Sequence, residues 1–419
     1  MRFLRLPSRK SFVNRPFCFK EYPSYYCNSF ASGVRLLLVF LGVPFFFFAL
    51  NPYIGSSPLN TDQQPTVHIF SLPLFFLLLI AKFDRISVLL FLSALLALGL
   101  FVIDPSFGAA RSAYNYVSFF VVFFVASGVL RYTRVNFRII LILTFWLWFF
   151  VGFVQLFIPD FLTFLVNNSR TTAERGVTGL ATEPTYYGVV MLFYILFFRV
   201  VRPRFERMYI FLASLAILVF AKSAMAALFL ISYFFVLSFF GRYWSIRFGY
   251  IGMIFSLPFL FRFLPDSRMK NLLSSLIDNP VDVLLVDASV NDRFFHVFLS
   301  LKGFFVNFGL PHGFSSFAGF AENQLSIYSG IIISEWFSLS GRIMSGLGSA
   351  LFELGFFGLL YLFIPIYVLY PLCRNGVGFF MSITFLFFVI LISAMPLGFS
   401  LFPLFLAVVN YETKYGYVR

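Results

Sequence analysis

The chain has 419 residues, of which 60% are hydrophobic and 11% charged, with a mean hydropathy of +0.90. A soluble domain is roughly 45–50% apolar and about 25% charged, so a cytosolic enzyme, a secreted domain and a disordered chain are all excluded. The composition is that of an all-α integral membrane protein, in which about twelve spans of ~20 residues would account for the apolar share. In a soluble chain the net charge of +14 and the pI near 9.8 would suggest nucleic acid. Here they read as topology, because cytoplasmic loops collect Lys and Arg, and no nucleic-acid partner is expected.

In chain order, residues 1–33 form a basic tail with no apolar stretch or cleavage site of its own. It reads as a cytoplasmic tail and not a removable signal peptide. Apolar runs follow at 34–50, 66–81, 86–103, 112–130, 139–158, 184–198, 208–220, 224–240 and 248–264, then at 347–370, 379–395 and 399–410. The break Ala221-Lys222-Ser223-Ala224 argues for a turn inside 208–240, against one long tilted helix. The organisation is therefore nine spans over 34–264 with an outer loop at 159–183, a large outer segment at 265–346, three spans over 347–410, and a tail at 411–419. With the N-terminus inside, roughly two thirds of the Lys and Arg fall on the inner segments and about three quarters of the Asp and Glu on the outer ones. Both termini are expected in the cytoplasm. Cys18, Cys27 and Cys373 have no paired ligand spacing, so neither a disulfide framework nor a metal site is expected. No internal repeat of the transporter kind is visible. Function is expected in the two polar outer segments, the second far longer than a simple connection.

The first outer segment carries Arg170, Glu174, Arg175, Gly176, Thr178 and Gly179, and ends in Glu183-Pro184 at the start of a span. Pro suits the first turn of a helix, which places Glu183 at the cap, where the helix dipole favours a carboxylate. The same helix end has free N–H groups for a phosphate, and Arg170 and Arg175 offer planar forks for phosphate oxygens. The plainer alternative is a simple cap with solvated arginines.

In the second outer segment Phe294, Phe298, Leu301, Phe305 and Phe308 recur at three- and four-residue spacing, with Arg293, His296, Ser300, Gly303 and Asn307 on the opposite face. Asn291 suits the cap and Gly309 the end. The pattern predicts an amphipathic helix on the outer leaflet, with Arg293 and His296 toward its polar side. A tight turn, Gly309-Leu-Pro311-His312-Gly313, follows. His68, at the start of a span, reads as structural. Arg342 precedes the tenth span, and Glu353 lies inside it, followed by Gly355 and Gly358. An ionisable residue within a span is a functional hypothesis by default. Glu353 is expected to pair with Lys222 or Arg342, and structural pairing and direct catalysis both stand.

The stretch Arg175-Gly176-x-Thr178-Gly179-Leu-x-x-Glu183-Pro184 resembles bacterial O-antigen and exopolysaccharide polymerases (the Wzy type), in which a Gly-rich turn ending in Glu-Pro-Ser/Thr opens a span. The later part resembles the region shared by O-antigen polymerases and ligases: Arg293 opening a long outer-loop helix, the Gly309–Gly313 turn, and a Glu-x-Gly-x-x-Gly helix at Glu353, Gly355 and Gly358. The ligase pattern has a His-Asn pair before that helix, whereas this chain has Ser345-Gly346 and Gly348-Ser349, which favours the polymerase over the ligase. The resemblance covers about half the chain.

It implies a fold similar to the C-type membrane glycosyltransferases, with about twelve transmembrane helices and a large late periplasmic loop containing amphipathic helices, in the bacterial inner membrane. It also implies metal-independent, inverting transfer of an undecaprenyl-diphosphate-linked oligosaccharide to another lipid-linked repeat unit, with no cofactor. A chain-length regulator and a flippase are the implied protein partners, and the lipid bilayer is the medium. Arginines at a low-dielectric membrane edge stabilise the departing diphosphate, a role expected of Arg175 and Arg293 with Arg170 and Arg342 in support. Glu183 is the expected base or acceptor-orienting group and His312 an alternative base. The competing readings are an O-antigen ligase acting on lipid A core, and a flippase or other transporter.

Overall fold

The computed structural model describes residues 32–55, 65–79, 83–133, 135–166, 176–241, 275, 279, 284–285, 288–328, 332–333, 343–393 and 395–415. The expected span at 248–264 lies outside the described residues, as do the tail at 1–31 and most of 265–287 and 334–342. In chain order the helices are α1 (Ser32–Leu50), α2 (Thr66–Leu78), α3 (Arg85–Ile103), α4 (Phe107–Tyr132), α5 (Phe137–Gln155), α6 (Pro184–Val201), α7 (Glu206–Leu215) and α8 (Ala224–Phe240). They continue as α9 (Ala288–Val306), α10 (Phe317–Leu325), α11 (Gly346–Leu354), α12 (Leu360–Leu369), α13 (Val377–Ser393) and α14 (Leu401–Lys414). A π-helical turn, Ala216–Ala221, extends α7, and 3-10 turns at Gly355–Leu359 and Tyr370–Asn375 flank α12. The only extended pairing among the described residues is an isolated bridge between Gly55 and Val166.

Helix is what these sequences must form in hydrocarbon, where each backbone N–H and C=O has to be satisfied within its own segment. Among the described residues six helices are long and apolar enough to cross a membrane: Gly33–Leu50, Arg85–Ile103, Phe107–Tyr132, Phe137–Gln155, Pro184–Val201 and Gly346–Asn375. The chain is an all-α, multi-pass membrane protein by that measure. Every other expected apolar run among the described residues also coincides with a helix, although Thr66–Leu78, Ala224–Phe240 and Val377–Ser393 are shorter. Starts are set by short polar side chains. Asp84, Ser106, Asn136, Ser223 and Ser345 each accept a backbone N–H three residues on, a bond worth about 1 kcal/mol.

Burial separates a centre from a lipid-facing rim. Along α6 every side chain from Tyr186 to Phe198 is buried, as is every one from Leu401 to Asn410 on α14, and α4 packs beside them. Phenylalanine fills the space between: the Phe193 and Phe402 rings lie 5.1 Å apart, Phe197 and Phe405 5.4 Å, and Phe387 and Phe402 5.3 Å, within the range of favourable aromatic pairs. Leu36, Phe40, Ile69, Phe76 and Leu143 point outward and exposed, more apolar surface than water tolerates.

The bundle has two unlike ends. One carries Arg131, Arg138, Arg199, Arg202, Arg204, Arg207, Arg374 and Lys414 at helix termini. There Arg199 pairs with Glu206 at 2.8 Å and Arg138 donates to the Val201 carbonyl at 3.1 Å. At the other end Tyr53 stacks on Tyr186 at 5.7 Å, Ser400 donates to the Ala49 carbonyl at 2.9 Å, and Ser106 bonds Ser315 at 3.0 Å. The described parts of both polar segments are gathered at this second end. If this division of centre and rim holds, Phe402→Ala opens a cavity worth about 3–5 kcal/mol and lowers the thermal midpoint in detergent micelles by several degrees, whereas Phe40→Ala, at a side chain 74% exposed, leaves it unchanged.

Candidate functional site

The first polar segment is held by one glutamine and one broken helix. The buried Gln155 amide donates to the Phe161 and Gly179 carbonyls at 2.8 and 3.0 Å, and its oxygen accepts the Gly179 N–H at 2.7 Å. Gly179 has φ +59°, and a Cβ there would run into the Tyr187 ring, so only glycine fits. The break expected at 221–224 is present: the π-helical turn ends at Ala221, Lys222 is left-handed at φ +46°, and Ser223 caps α8. The interruption frees the Phe220 carbonyl, which accepts the Val177 N–H at 2.9 Å. A Cβ on Gly176 would collide with the carbonyl oxygens of Phe220 and Ala221. The glycine-rich turn thus docks on a helix break and delivers Glu183 to the first position before α6.

Glu183 occupies the cap position as expected, with Pro184 next, but its side chain makes no capping bond and is half-exposed. Next to it, Ser223 Oγ donates to Thr185 Oγ1 at 3.3 Å. From α9, Arg293 is half-buried and points Nη1 at Met225 Sδ, 2.7 Å away, in the first turn of α8. Lys222 is exposed at the same break. Thr185, two residues after Glu183, and Arg293 therefore both contact the first turn of α8. Arg170, Arg175 and Arg342 lie outside the described residues.

A second interlock holds His312. The Glu-x-Gly-x-x-Gly motif, expected as one continuous helix, is broken: α11 stops at Leu354, and Gly355 adopts φ +59°, ψ −133°, a region open essentially to glycine alone. The Gly309–His312 turn fills the gap. Phe356 N–H donates to the Gly309 carbonyl at 2.8 Å, and His312 N–H donates to the Phe352 carbonyl at 3.1 Å. The His312 ring lies flat on Phe352, centroids 4.2 Å apart, with Nε2 3.0 Å from the Gly303 carbonyl. A carbonyl only accepts, so Nε2 carries a hydrogen.

Four expectations require correction. His296 does not face a polar surface; it is fully buried, stacked on Phe317 and 3.4 Å from Asp292. Asn291 does not cap α9 but lies inside it, donating to the Leu284 carbonyl at 2.8 Å. The face expected to meet water packs instead against the protein. Phe294, Phe305 and Phe308 are exposed, while His296, Ser300 and Gly303 face inward. The reason is close packing: a Cβ on Gly303 would strike the Phe352 ring and one on Gly348 would strike Ser300 Oγ, the small-residue contact typical of helices in lipid. Finally, the Glu353 carboxylate is held by hydroxyls and not by Lys222, while Arg342 lies outside the described residues. Ser112 Oγ donates to Oε1 at 2.8 Å and the Tyr116 hydroxyl to Oε2 at 2.6 Å. Tyr361, whose ring packs on Tyr116 at 5.6 Å, shares a hydrogen bond with Ser93 at 2.9 Å. Glu353 thereby fastens α11 to α4.

His68 has both ring nitrogens engaged by hydroxyls, Ser71 at 3.0 Å and Ser118 at 3.1 Å, the arrangement of a structural histidine. Sequence reasoning missed Lys302, which donates to Gln324 at 2.6 Å and to the Tyr328 hydroxyl at 3.0 Å, tying α9 to α10. Its only signal was a cation in the apolar second half of the helix. His312, bonded at Gly303, stands ten residues from Arg293 along α9, roughly 15 Å at helical rise. The candidates thus fall into two clusters at one end: Glu183 with Lys222 and Arg293, and His312 above Glu353.

Compared with known proteins, the chain matches no family model and no curated protein. For Glu353 the hydrogen bonds give a direct test. Glu353→Ala leaves two hydroxyls without an acceptor at about 1–3 kcal/mol each and lowers the thermal midpoint markedly, while Glu353→Gln, which keeps one acceptor, loses less. Gly355→Ala, forced into a glycine-only conformation, is destabilised by about 1–3 kcal/mol in the same melting assay.

Proposed function

We propose that this chain is a polysaccharide polymerase: a membrane glycosyltransferase that joins undecaprenyl-diphosphate-linked oligosaccharide repeat units at the periplasmic face of the bacterial inner membrane. In this reading twelve helices span the bilayer with both termini in the cytoplasm, and the strongly basic end of the bundle is the cytoplasmic one. The observation that carries the reading is that Arg293 and Thr185, two residues after Glu183, both contact the start of α8, at the end opposite the basic one. The sequence resemblance supplies the reaction class.

The chemistry follows from those two groups. An acceptor sugar hydroxyl attacks the anomeric carbon of the donor. A new C–O bond forms, the bond from that carbon to the diphosphate oxygen breaks, and undecaprenyl diphosphate leaves. Negative charge grows on the leaving oxygen, and the planar fork of Arg293 meets it, with Lys222, Arg170, Arg175 and Arg342 adding positive potential. Glu183 takes the proton of the hydroxyl or orients it. The ~15 Å between Arg293 and His312 suits a long substrate, with the diphosphate at the first cluster and sugar hydroxyls at the second, beside His312.

Purified protein incubated with a lipid-linked repeat unit tests this reading, since a polymerase yields a ladder of products, a ligase none without lipid A core, and a flippase no lengthening. Arg293→Ala is expected to reduce elongation at least about hundredfold, the usual effect of removing one charge-stabilising donor, and Arg293→Lys to restore little of it because the fork is lost. Glu183→Gln is expected to abolish the ladder, and His312→Ala to weaken acceptor use more than turnover. Ladders of wild-type length and yield from both Arg293→Ala and Glu183→Gln would refute the assignment.

A further inference from the structure

At the basic end, away from the proposed catalytic end, the termini of α2, α4 and α14 and the start of α3 enclose a cleft of about 540 Å³, counted to its open mouth. Its polar lining is Asp84, Ser127, Arg131, Tyr132, Asn410 and Lys414, and the remaining wall is largely apolar. Asp84 is already occupied: Oδ1 accepts the Ser87 N–H at 2.8 Å, and Oδ2 faces Asn410 Nδ2 at 3.4 Å and Lys414 Nζ at 3.9 Å. At 3.9 Å the ammonium is at the limit of pairing, and its side chain is 48% exposed. The Arg131 guanidinium lies over the Tyr132 ring, 5.3 Å from its centroid, which fixes its plane at the wall. Ser127 Oγ is buried in the lining with no hydrogen-bond partner.

We infer that this cleft is a binding site for a phosphate group, with Arg131 and Lys414 as its charged donors and Ser127 as a hydroxyl donor. Two cations outweigh one carboxylate, the donors sit beside an apolar wall, and basic pockets between helix ends are where anionic headgroups are held. Phosphate can arrive as the phosphodiester of an anionic phospholipid or as a free phosphate, and both present the same oxygens to the same donors. Asp84 opposes the ligand and so limits its affinity. Asp84→Asn removes that opposition while keeping the cap on α3, because Asn caps as well as Asp.

The test uses the full chain in nanodiscs of phosphatidylcholine, with or without phosphatidylglycerol, and in detergent with or without inorganic phosphate. Thermal midpoint and lipid retained in native mass spectrometry are the readouts. Wild type is expected to gain several degrees and keep bound phosphatidylglycerol. Arg131→Gln/Lys414→Gln is expected to retain about tenfold less, and Asp84→Asn to retain more than wild type. A midpoint shift with phosphatidylglycerol alone upholds the site with a lipid as its source, and one reproduced by inorganic phosphate upholds it with a free phosphate. An Asp84→Asn chain that retains no more than wild type overturns the inference, as does a wild type that responds to neither probe or a double variant that responds equally.

Discussion

A helix interrupted inside a membrane protein leaves backbone groups that hydrocarbon cannot satisfy, and this chain interrupts two helices where its polar segments attach. At the end of α7 the freed Phe220 carbonyl takes the Val177 N–H. At Gly355 the exchange is reciprocal, with Phe356 N–H going to Gly309 and His312 N–H to Phe352. The unpaired groups of each break are the receptor for a glycine-bearing turn, and glycine is required in the turn at the first break and on both sides at the second, because the backbones meet without room for a Cβ. Each docked turn carries a side chain of chemical interest, Glu183 in one case and His312 in the other.

Rigidity at these junctions comes from buried amides and hydroxyls, with no ion pair among the described residues taking part. Gln155 closes both sides of the Gly179 peptide, and Glu353 is held by Ser112 and Tyr116. Neutral donors around a single carboxylate avoid the cost of placing a second charge in a low-dielectric interior. Phenylalanine supplies the rest of the cohesion, packing edge to face across α6, α13 and α14.

Much of the fold was legible in the sequence, because hydrocarbon imposes one rule on apolar runs: they become helices wherever they fall. The run at 34–50 becomes Ser32–Leu50, Pro184 opens a helix with Glu183 before it, and Ala221–Ala224 is a turn. The burial of the face of α9 opposite its phenylalanines was not legible, since His296, Ser300 and Gly303 read as a surface turned to water. The clue lay in Ser300 and Gly303, read as polar when their relevant property is small size. The partners of Glu353 were equally hidden, since Ser112 and Tyr116 sit more than two hundred positions away and carry no charge to suggest a pairing. Of the candidate site, the cap position of Glu183 and the turn at His312 were visible, but their separation along α9 needed coordinates.

On the proposed reading, the break at Lys222 faces the periplasm. The direct measurement is labelling of Lys222→Cys, at an exposed side chain, with a membrane-impermeant maleimide in intact spheroplasts, on a chain whose three native cysteines are replaced by serine. Labelling of intact spheroplasts is the predicted result. Labelling that appears only after the membrane is permeabilised contradicts it.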